Sequence, residues 1–282
     1  DTSEVTTMET MFAYCSILTS LDLYKFNTKK VENMLAMFYG CSSLYSLNLS
    51  NFDTSEVTTT HSMFSGCLSL KSSDLYNFNT KKVESMQAMF FDCVSLISLD
   101  LSDFDTSEVI TMWSMFYNCQ SLESLHLSSF NTSKVQNMQK MFYNCSSLVS
   151  LNLSNFDTSE NLNMKNIFKE CSSLTSLNLF NFNTSKVTII SGIFNGCKNL
   201  EYINIQNITE DLLSNDDFYN EDIFYLVPEN IEICINGEKT SSKLSSKINN
   251  KTCKILECSY DWSLNQKKRD DKIISLFFIL HL

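Results

Sequence analysis

Thiols, imidazoles and carboxylates are the side chains of this 282-residue chain that could do chemistry. Eight of the eleven cysteines recur every 26 residues: Cys15, Cys41, Cys67, Cys93, Cys119, Cys145, Cys171 and Cys197. A thiolate can attack a substrate or bind a metal, but zinc sites usually add a C-x-x-C pair or histidines; no C-x-x-C pair occurs here and no histidine accompanies the cysteine series. We therefore interpret the series as a column of buried free thiols that pack as small apolar groups.

The remaining candidate groups do not form a catalytic pattern. His61, His126 and His281 stand in three different sequence contexts, and no nucleophile elbow, zinc-protease motif or phosphate-binding loop accompanies them. The aspartates and glutamates are spread by the repeat and do not converge as a pair of catalytic carboxylates must. The sequence therefore predicts a protein that is not an enzyme and has no cofactor and no metal.

A regular repeat must position all of these residues. Phenylalanine recurs every 26 residues without an insertion, at Phe26, Phe52, Phe78, Phe104, Phe130, Phe156 and Phe182. A fixed period of this length is typical of a solenoid, in which each unit buries its apolar face against its neighbours. We predict eight such units over residues 1–207, the first of them incomplete.

Two periodicities follow each other inside a unit. Leu47 and Leu49, two residues apart, predict a short strand with one inward face. Val31, Met34 and Phe38 recur at intervals of three and four residues, as on one face of a short helix. The predicted fold class is therefore an α/β repeat solenoid, leucine-rich-repeat-like, with one short strand and one short helix or helical turn per unit.

The pattern L-x-x-L-x-L at Leu44, Leu47 and Leu49, with FDTSEVTT after it, resembles the BspA-type leucine-rich repeats of microbial surface proteins. The resemblance covers about three quarters of the chain and implies a leucine-rich-repeat fold at a cell surface or in a secreted protein. One position departs from the usual repeat, because Phe52 stands where asparagine or cysteine is common. Other groups must then satisfy the backbone of that turn.

The residues after each phenylalanine predict helix caps. Asp53 and Thr54 belong to the types that accept hydrogen bonds from helix amides, and Glu56 completes a near capping box. The same capping explains a regular threonine column that could otherwise indicate an ice-binding surface. Charge alternates from unit to unit in the order Glu4, Lys30, Glu56, Lys82, Glu108, Lys134, Glu160 and Lys186. We expect attraction between stacked units there, and duplication of a two-unit block explains the alternation equally well.

The outward positions of the strands are the candidate binding surface. They are rich in hydroxyl and amide groups, with sparse aromatic residues that could anchor a partner. The predicted partner-binding residues are Asp22, Tyr24, Asn48, Asp74, Tyr76, Asp100, His126, Asn152, Asn178 and Phe180. A neutral, solvated face is the alternative interpretation. A second aromatic row, Tyr14, Tyr39, Phe91, Tyr117 and Tyr143, is expected to pack between adjacent units.

These features favour a recognition and adhesion module that binds an extracellular or host-cell protein or glycan. The alternative is a structural spacer that displays another domain. A net charge of −11 argues against a nucleic-acid partner. Membrane attachment would depend on sequence outside this chain or at its end.

The period fails near the C-terminus. We assign residues 208–236 as a cap in which Ile231, Ile233 and Ile235 predict one more strand, residues 237–252 as a polar linker, and residues 253–282 as an incomplete cysteine-bearing tail. Three cysteines lie outside the repeat, Cys234, Cys253 and Cys258. Two arrangements are open: one disulfide with a spare thiol, or a disulfide to a cysteine outside this sequence. The apolar run 273–280 is too short to span a bilayer; it is part of an anchor, the edge of a further module or a free terminus.

Substitutions in the third unit predict that its local stability is low. Thr60 replaces a methionine and Ser73 an inward leucine. Both changes remove apolar burial, so this unit is expected to open more readily than its neighbours.

Overall fold

The computed structural model describes residues 1–75, 77–205, 208, 223–235 and 254–257 and shows a solenoid. Equivalent residues of consecutive repeats lie side by side, because Thr7 pairs with Asn33, and Asn33 with Thr59, in parallel bridges. One repeat is thus one coil. We number the coils as residues 1–26, 27–52, 53–78, 79–104, 105–130, 131–156, 157–182 and 183–208, coils 1 to 8.

Short parallel strands form one side of the coils. They are β1 (Ser46–Asn48), β2 (Ser72–Asp74), β3 (Ser98–Asp100), β4 (Ser124–His126), β5 (Ser176–Asn178), β6 (Tyr202–Asn204), β7 (Glu232–Ile235) and β8 (Lys254–Glu257). The sheets are β1–β2, β3–β4 and β5–β6–β7–β8. Leu47 is buried between the exposed Ser46 and Asn48, as the alternation predicted. Strand β7 confirms the additional strand predicted near Ile233.

The predicted helix is not confirmed, since the described residues form no α-helix. In coil 2 the amides of Ala36, Phe38 and Gly40 donate to carbonyls of coil 3 at 2.7–2.9 Å. The residues between them close turns with the carbonyl three residues back. Ala36 and Gly40 have φ of 52° and 69°, in the left-handed region that interrupts a helix. Alternating turns therefore produce the three- and four-residue apolar spacing that indicated a helix.

Two columns of phenylalanine fill the core. Neighbouring rings of the first column stack with centroids 5.4–6.3 Å apart; it contains Phe12, Phe38, Phe64, Phe90, Phe116, Phe142, Phe168, Phe194 and Phe224. The phenylalanines that define the repeat form the second column, where Phe156 and Phe182 lie 6.5 Å apart. Each buried ring contributes roughly 1.5–3 kcal/mol from apolar burial.

The expected caps have other roles. The buried Thr28 hydroxyl accepts a hydrogen bond from the Asp53 amide at 2.8 Å and donates one to the Asp53 carbonyl at 2.9 Å. Threonine therefore connects one coil to the next at this corner, and its burial removes the ice-binding alternative. Asp53 accepts from the Ser55 amide at 3.1 Å, which closes an Asx turn. The carboxylate and hydroxyl still satisfy backbone groups, but no helix follows them.

The missing asparagine column is replaced by residues one position earlier. Asn155 Nδ2 donates to the carbonyls of Leu127 and Phe130 at 2.9 and 2.6 Å. Ser129 donates to the Phe104 carbonyl at 2.7 Å in the same way. The side chains just before Phe52, Phe78, Phe130, Phe156 and Phe182 thus bond backbone carbonyls of the preceding coil and leave the phenylalanine free to pack inside.

The alternating charges pair between coils. Lys30, Lys82, Lys134 and Lys186 each contact the glutamate of the preceding coil at 2.5–2.7 Å. About half of each lysine side chain is exposed, so water and salt screen the attraction. The expected attraction is present within two-coil blocks.

Candidate binding surfaces

The cysteine column is buried except at Cys15, and its buried thiols are not activated as nucleophiles. Cys41, Cys67, Cys93, Cys119, Cys145, Cys171 and Cys197 are buried free thiols, and Cys15 is exposed. Each buried Sγ donates to a phenylalanine carbonyl of the preceding coil; for Cys93 and Phe64 the distance is 3.1 Å. Burial raises the pKa of Cys41 to about 11 and that of Cys93 well above its usual range. These thiols stay protonated at neutral pH, which agrees with a packing role.

Cys234 differs from this column because it is disulfide-bonded. It lies in β7, whose neighbour β8 pairs Cys234 with Leu256 in register. Cys253 and Cys258 lie outside the described residues.

The strand face brings most of the predicted partner-binding residues together. Asn48, Asp100, His126, Asn152 and Asn178 are exposed, as is Asp22 in the equivalent position of coil 1. Tyr24 and Phe180 are 68% and 46% exposed near the two ends of this face. Asp74 lies in register with Asn48 in β2. Tyr76 lies outside the described residues.

Several of these polar groups have a structural task that sequence reasoning missed. Asn48, Asp100, Asn152 and Asn178 each accept the backbone amide two residues later through Oδ1 at 2.9–3.1 Å. Asp22 does the same with Tyr24 at 3.1 Å. This Asx turn ends β1, β3 and β5, and it occurs at the equivalent positions of coils 1 and 6. One side-chain oxygen of each of these residues is therefore used inside its own coil.

His126 is the exception in this column. Its Nδ1 lies 3.8 Å from Asp100 Oδ2, and its Nε2 lies 3.4 Å from Ser124 Oγ. Hydrogen bonds from Ser102 lower the pKa of Asp100, and His126 adds to that effect. The order of the groups is that of a hydrolase triad, but 3.8 Å is not a hydrogen bond. The His126 and Asp100 side chains are 63% and 64% exposed, so water is not excluded from the group. We assign no reaction to it.

A second surface lies on the turn side of the coils, where the aromatic row runs. Phe91, Tyr117 and Tyr143 stack with centroids 4.4 and 4.6 Å apart, which confirms packing between adjacent coils. Tyr39 holds the same position in coil 2, whereas Tyr14 belongs to the next column, beside Gly40. Tyr14 meets Tyr39 edge-on at 5.1 Å. Ser65 and Lys169 hold the row position in coils 3 and 7.

Polar groups accompany the stacked part of this row. Lys140 Nζ lies 5.8 and 5.9 Å from the centroids of Tyr117 and Tyr143, and Lys169 Nζ lies 5.9 Å from that of Tyr143. Asn118 donates to Asp92 Oδ1 at 2.7 Å, and Asn144 donates to Asn118 at 2.7 Å. The chain therefore supplies its own cations and its own amide ladder to this stack. Sequence spacing located the rings but not the lysines that cover them.

The fold defines a class, a solenoid of 26-residue coils with parallel strands on one side. The chain belongs to the family described as Mycoplasma protein of unknown function, DUF285, which matches residues 1–72, 42–148 and 125–223. Among the curated proteins, none matches this chain.

Two solved structures are similar to the chain at low identity. A crystal structure of a TLR13–ssRNA13 complex is 16% identical with a TM-score of 0.37, over 90% of this chain and 42% of that one. The chain thus spans less than half of that protein. A leucine rich cell surface protein from Faecalibacterium prausnitzii A2-165 is 16% identical with a TM-score of 0.33, over 83% and 79%. At these TM-scores neither likeness bears on the function of this chain.

Within the part of the chain that the structure describes, no cluster of three or more histidine, cysteine, aspartate or glutamate side chains is arranged to hold a metal ion. That part also contains no helix long and apolar enough to cross a membrane.

Proposed function

We propose that this chain is a non-enzymatic recognition module, at a cell surface or in a secreted protein, that binds a protein or glycan through its strand face. The BspA-type character indicated by the repeat motif belongs to the same proposal. The observation that carries it is the register of the strands, in which Ser46 lies beside Ser72 and Asp100 beside His126. Register places equivalent side chains in rows, so an extended partner meets the same groups at each coil.

The chemistry of the face supports a polar ligand with a few apolar anchors. Serine hydroxyls and the free amide or carboxylate atoms of the Asx residues supply hydrogen bonds along the rows. Tyr24 and Phe180 supply exposed aromatic area, the kind of residue that is enriched at binding hot spots. Because the Asx turns fix one oxygen of each side chain, these groups are held in place before a ligand arrives.

Binding of the chain to host cells, matrix proteins and a glycan array tests the proposal. Tyr24→Ala, Phe180→Ala and Tyr76→Ala are expected to weaken the strongest interaction. Tyr225→Ala is the matched control, since Tyr225 is 56% exposed and lies outside the row of strand anchors. Loss of binding in the first variants with retention in the control supports the strand face; equal effects in all variants contradict it.

A structural spacer is the second candidate, because successive coils are nearly uniform and the open face is dominated by serine and asparagine. A spacer needs stable stacking but no ligand. If the parent chain binds nothing under any of these conditions while remaining folded, the spacer is the better description.

A further inference from the structure

The outward row of the strand face is buried at its C-terminal end. Asn178 in β5 is exposed, and Asn204 in β6 and Cys234 in β7 follow it in register. Ile203 and Ile233, the residues just before them, belong to the hydrophobic core, so Asn204 and Cys234 lie on the outward side of the sheet. They are nevertheless only 5% and 1% exposed. Other parts of the chain therefore cover the strand face at this end.

A disulfide begins on this buried side of the sheet. Cys234 is disulfide-bonded, whereas the eight cysteines of the repeat, from Cys15 to Cys197, are free thiols. The chain has eleven cysteines, so the partner of Cys234 within this chain is Cys253 or Cys258. The other of these two cysteines is then left without Cys234 as a partner.

The register of β7 and β8 distinguishes the two candidates. Cys234 pairs with Leu256 in this parallel ladder, so Cys258 follows the paired residue by two positions and Cys253 precedes it by three. Residues two apart along a strand face the same side of the sheet, and residues three apart face opposite sides. In this register Cys258 falls on the side on which Cys234 lies, and Cys253 falls on the other.

Distance favours the same partner. With a rise of about 3.3 Å per residue and a strand spacing of about 4.8 Å, an extended chain would place the Cα atoms of Cys234 and Cys258 about 8 Å apart, and those of Cys234 and Cys253 about 11 Å apart. A disulfide requires about 4.4–6.8 Å. Strand β8 ends one residue before Cys258, so a bend directly after it brings this cysteine within range. Cys253 would have to approach by about 4 Å while Lys254, the next residue, stays in the β8 ladder.

We propose that Cys234 and Cys258 form a disulfide that fastens the chain after β8 to the outward side of β7, and that Cys253 remains a free thiol. In forming the bond, each thiol loses one proton and one electron, and an oxidised thiol–disulfide carrier takes up both electrons and both protons as its own disulfide opens. The strand face that a ligand can reach then ends at β5. Structural disulfides persist in oxidising compartments, which agrees with the proposed location at a cell surface or in a secreted protein.

Tryptic mapping without reduction tests the pairing, because cleavage after Lys254 separates Cys253 from Cys258 and leaves Cys234 in a third peptide. The full chain is denatured with N-ethylmaleimide at mildly acidic pH, which blocks free thiols before they can exchange, and is then digested and analysed by mass spectrometry. The Cys234 peptide is expected to be joined to the Cys258 peptide, while the Cys253 peptide carries maleimide. A link from Cys234 to Cys253, similar amounts of both links, or maleimide on Cys234 overturns the proposal.

Cys258→Ser and Cys253→Ser are a matched pair that tests the fastening role. In the native Cys258→Ser chain, the freed Cys234 thiol should react with iodoacetamide at least about 10-fold faster than the buried Cys93, because the segment over it is no longer held. Cys253→Ser should leave Cys234 bonded and unreactive. An unreactive Cys234 in folded Cys258→Ser, or a reactive one in Cys253→Ser, contradicts the proposal. Mapping of the parent chain decides the pairing even if Cys258→Ser does not fold.

Discussion

Coils 2 to 4 and coils 5 to 7 have the same core but different turn corners. Phe64 and Phe116 are both fully buried members of one continuous stack. At the corner, Phe91, Tyr117 and Tyr143 form a continuous stack covered by Lys140, whereas Ser65 interrupts the row between Tyr39 and Phe91. Stacking between coils fixes the core at every repeat, while the corner is free to differ. Residues at the corner can therefore differ between coils while the core stack stays the same.

The largest expected effect tests whether the cores of the two regions are equal. Phe64→Ala and Phe116→Ala each remove a buried ring with two stacked neighbours, so each should lower the free energy of unfolding by about 3–5 kcal/mol. Urea denaturation followed by circular dichroism measures both. A difference of more than about 1 kcal/mol between them would show that the corners influence core stability.

The second largest effect is expected in local stability, which should be lower in coil 3 than in coil 5. Coil 3 has Thr60 in a methionine column, where the hydroxyl is buried and donates to the Ser85 carbonyl at 3.4 Å. That hydrogen bond satisfies the hydroxyl but does not replace the lost apolar area, so coil 3 amides should exchange about tenfold faster than those of coil 5. Hydrogen exchange with mass spectrometry compares the two coils. Slower exchange in coil 3 would contradict the expectation.

The corner itself can be exchanged between regions. Tyr117→Ser opens the stack of coils 4 to 6 and should cost about 1–2 kcal/mol, because two aromatic contacts are lost. Ser65→Tyr continues the aromatic row through coil 3 and should raise the free energy of unfolding by up to about 1 kcal/mol if the ring stacks between Tyr39 and Phe91. Thermal melts of the two variants and the double variant measure this. If Ser65→Tyr destabilises the chain, coil 3 has no room for a ring at this position and the break in the row is structural.

The sequence predicts which residues stack between coils better than it predicts the backbone conformation of each coil. Constant spacing at Phe52 and Cys67 determines which residues stack, since any register other than one repeat per coil would scatter them. The three- and four-residue spacing of Met34 and Phe38 did not distinguish a helix from alternating turns. The deciding feature is the left-handed backbone at Ala36, a residue that gives no sequence signal for it.

The candidate surfaces show the same limit. Alternation predicted that Asn48 and Asp100 point outward, because side-chain direction follows from strand geometry. It could not show that their oxygens close Asx turns, which depends on the bend after each strand. Nor could it show the lysines that cover the aromatic row, because Lys140 and Lys169 reach Tyr143 only through the stacking of coils 6 and 7.

A smaller effect tests the charged row, which should be alike in both regions. Lys82→Gln and Lys134→Gln each remove one ion pair between coils, and each should cost about 0.2–1 kcal/mol at low salt. The cost should vanish in about 1 M salt, where the Debye length is roughly 3 Å. Melts at two salt concentrations measure it. A cost that persists at high salt would show that the lysine stems contribute by packing.

The smallest effect concerns His61 in coil 3, whose counterpart in coil 4 is Gln87. Burial lowers the pKa of His61 from 6.5, so the unfolded chain binds the proton more readily than the folded chain. The free energy of unfolding should therefore fall as the pH drops below about 6.5 and level off below the folded pKa. His61→Gln copies the coil 4 residue and should remove this dependence, while the acid transition of the aspartates below about pH 4 remains. Melts of both proteins between neutral and mildly acidic pH measure the difference. Parallel curves for the two proteins would mean that His61 is solvated in solution and that coil 3 is more open at this corner than coil 4.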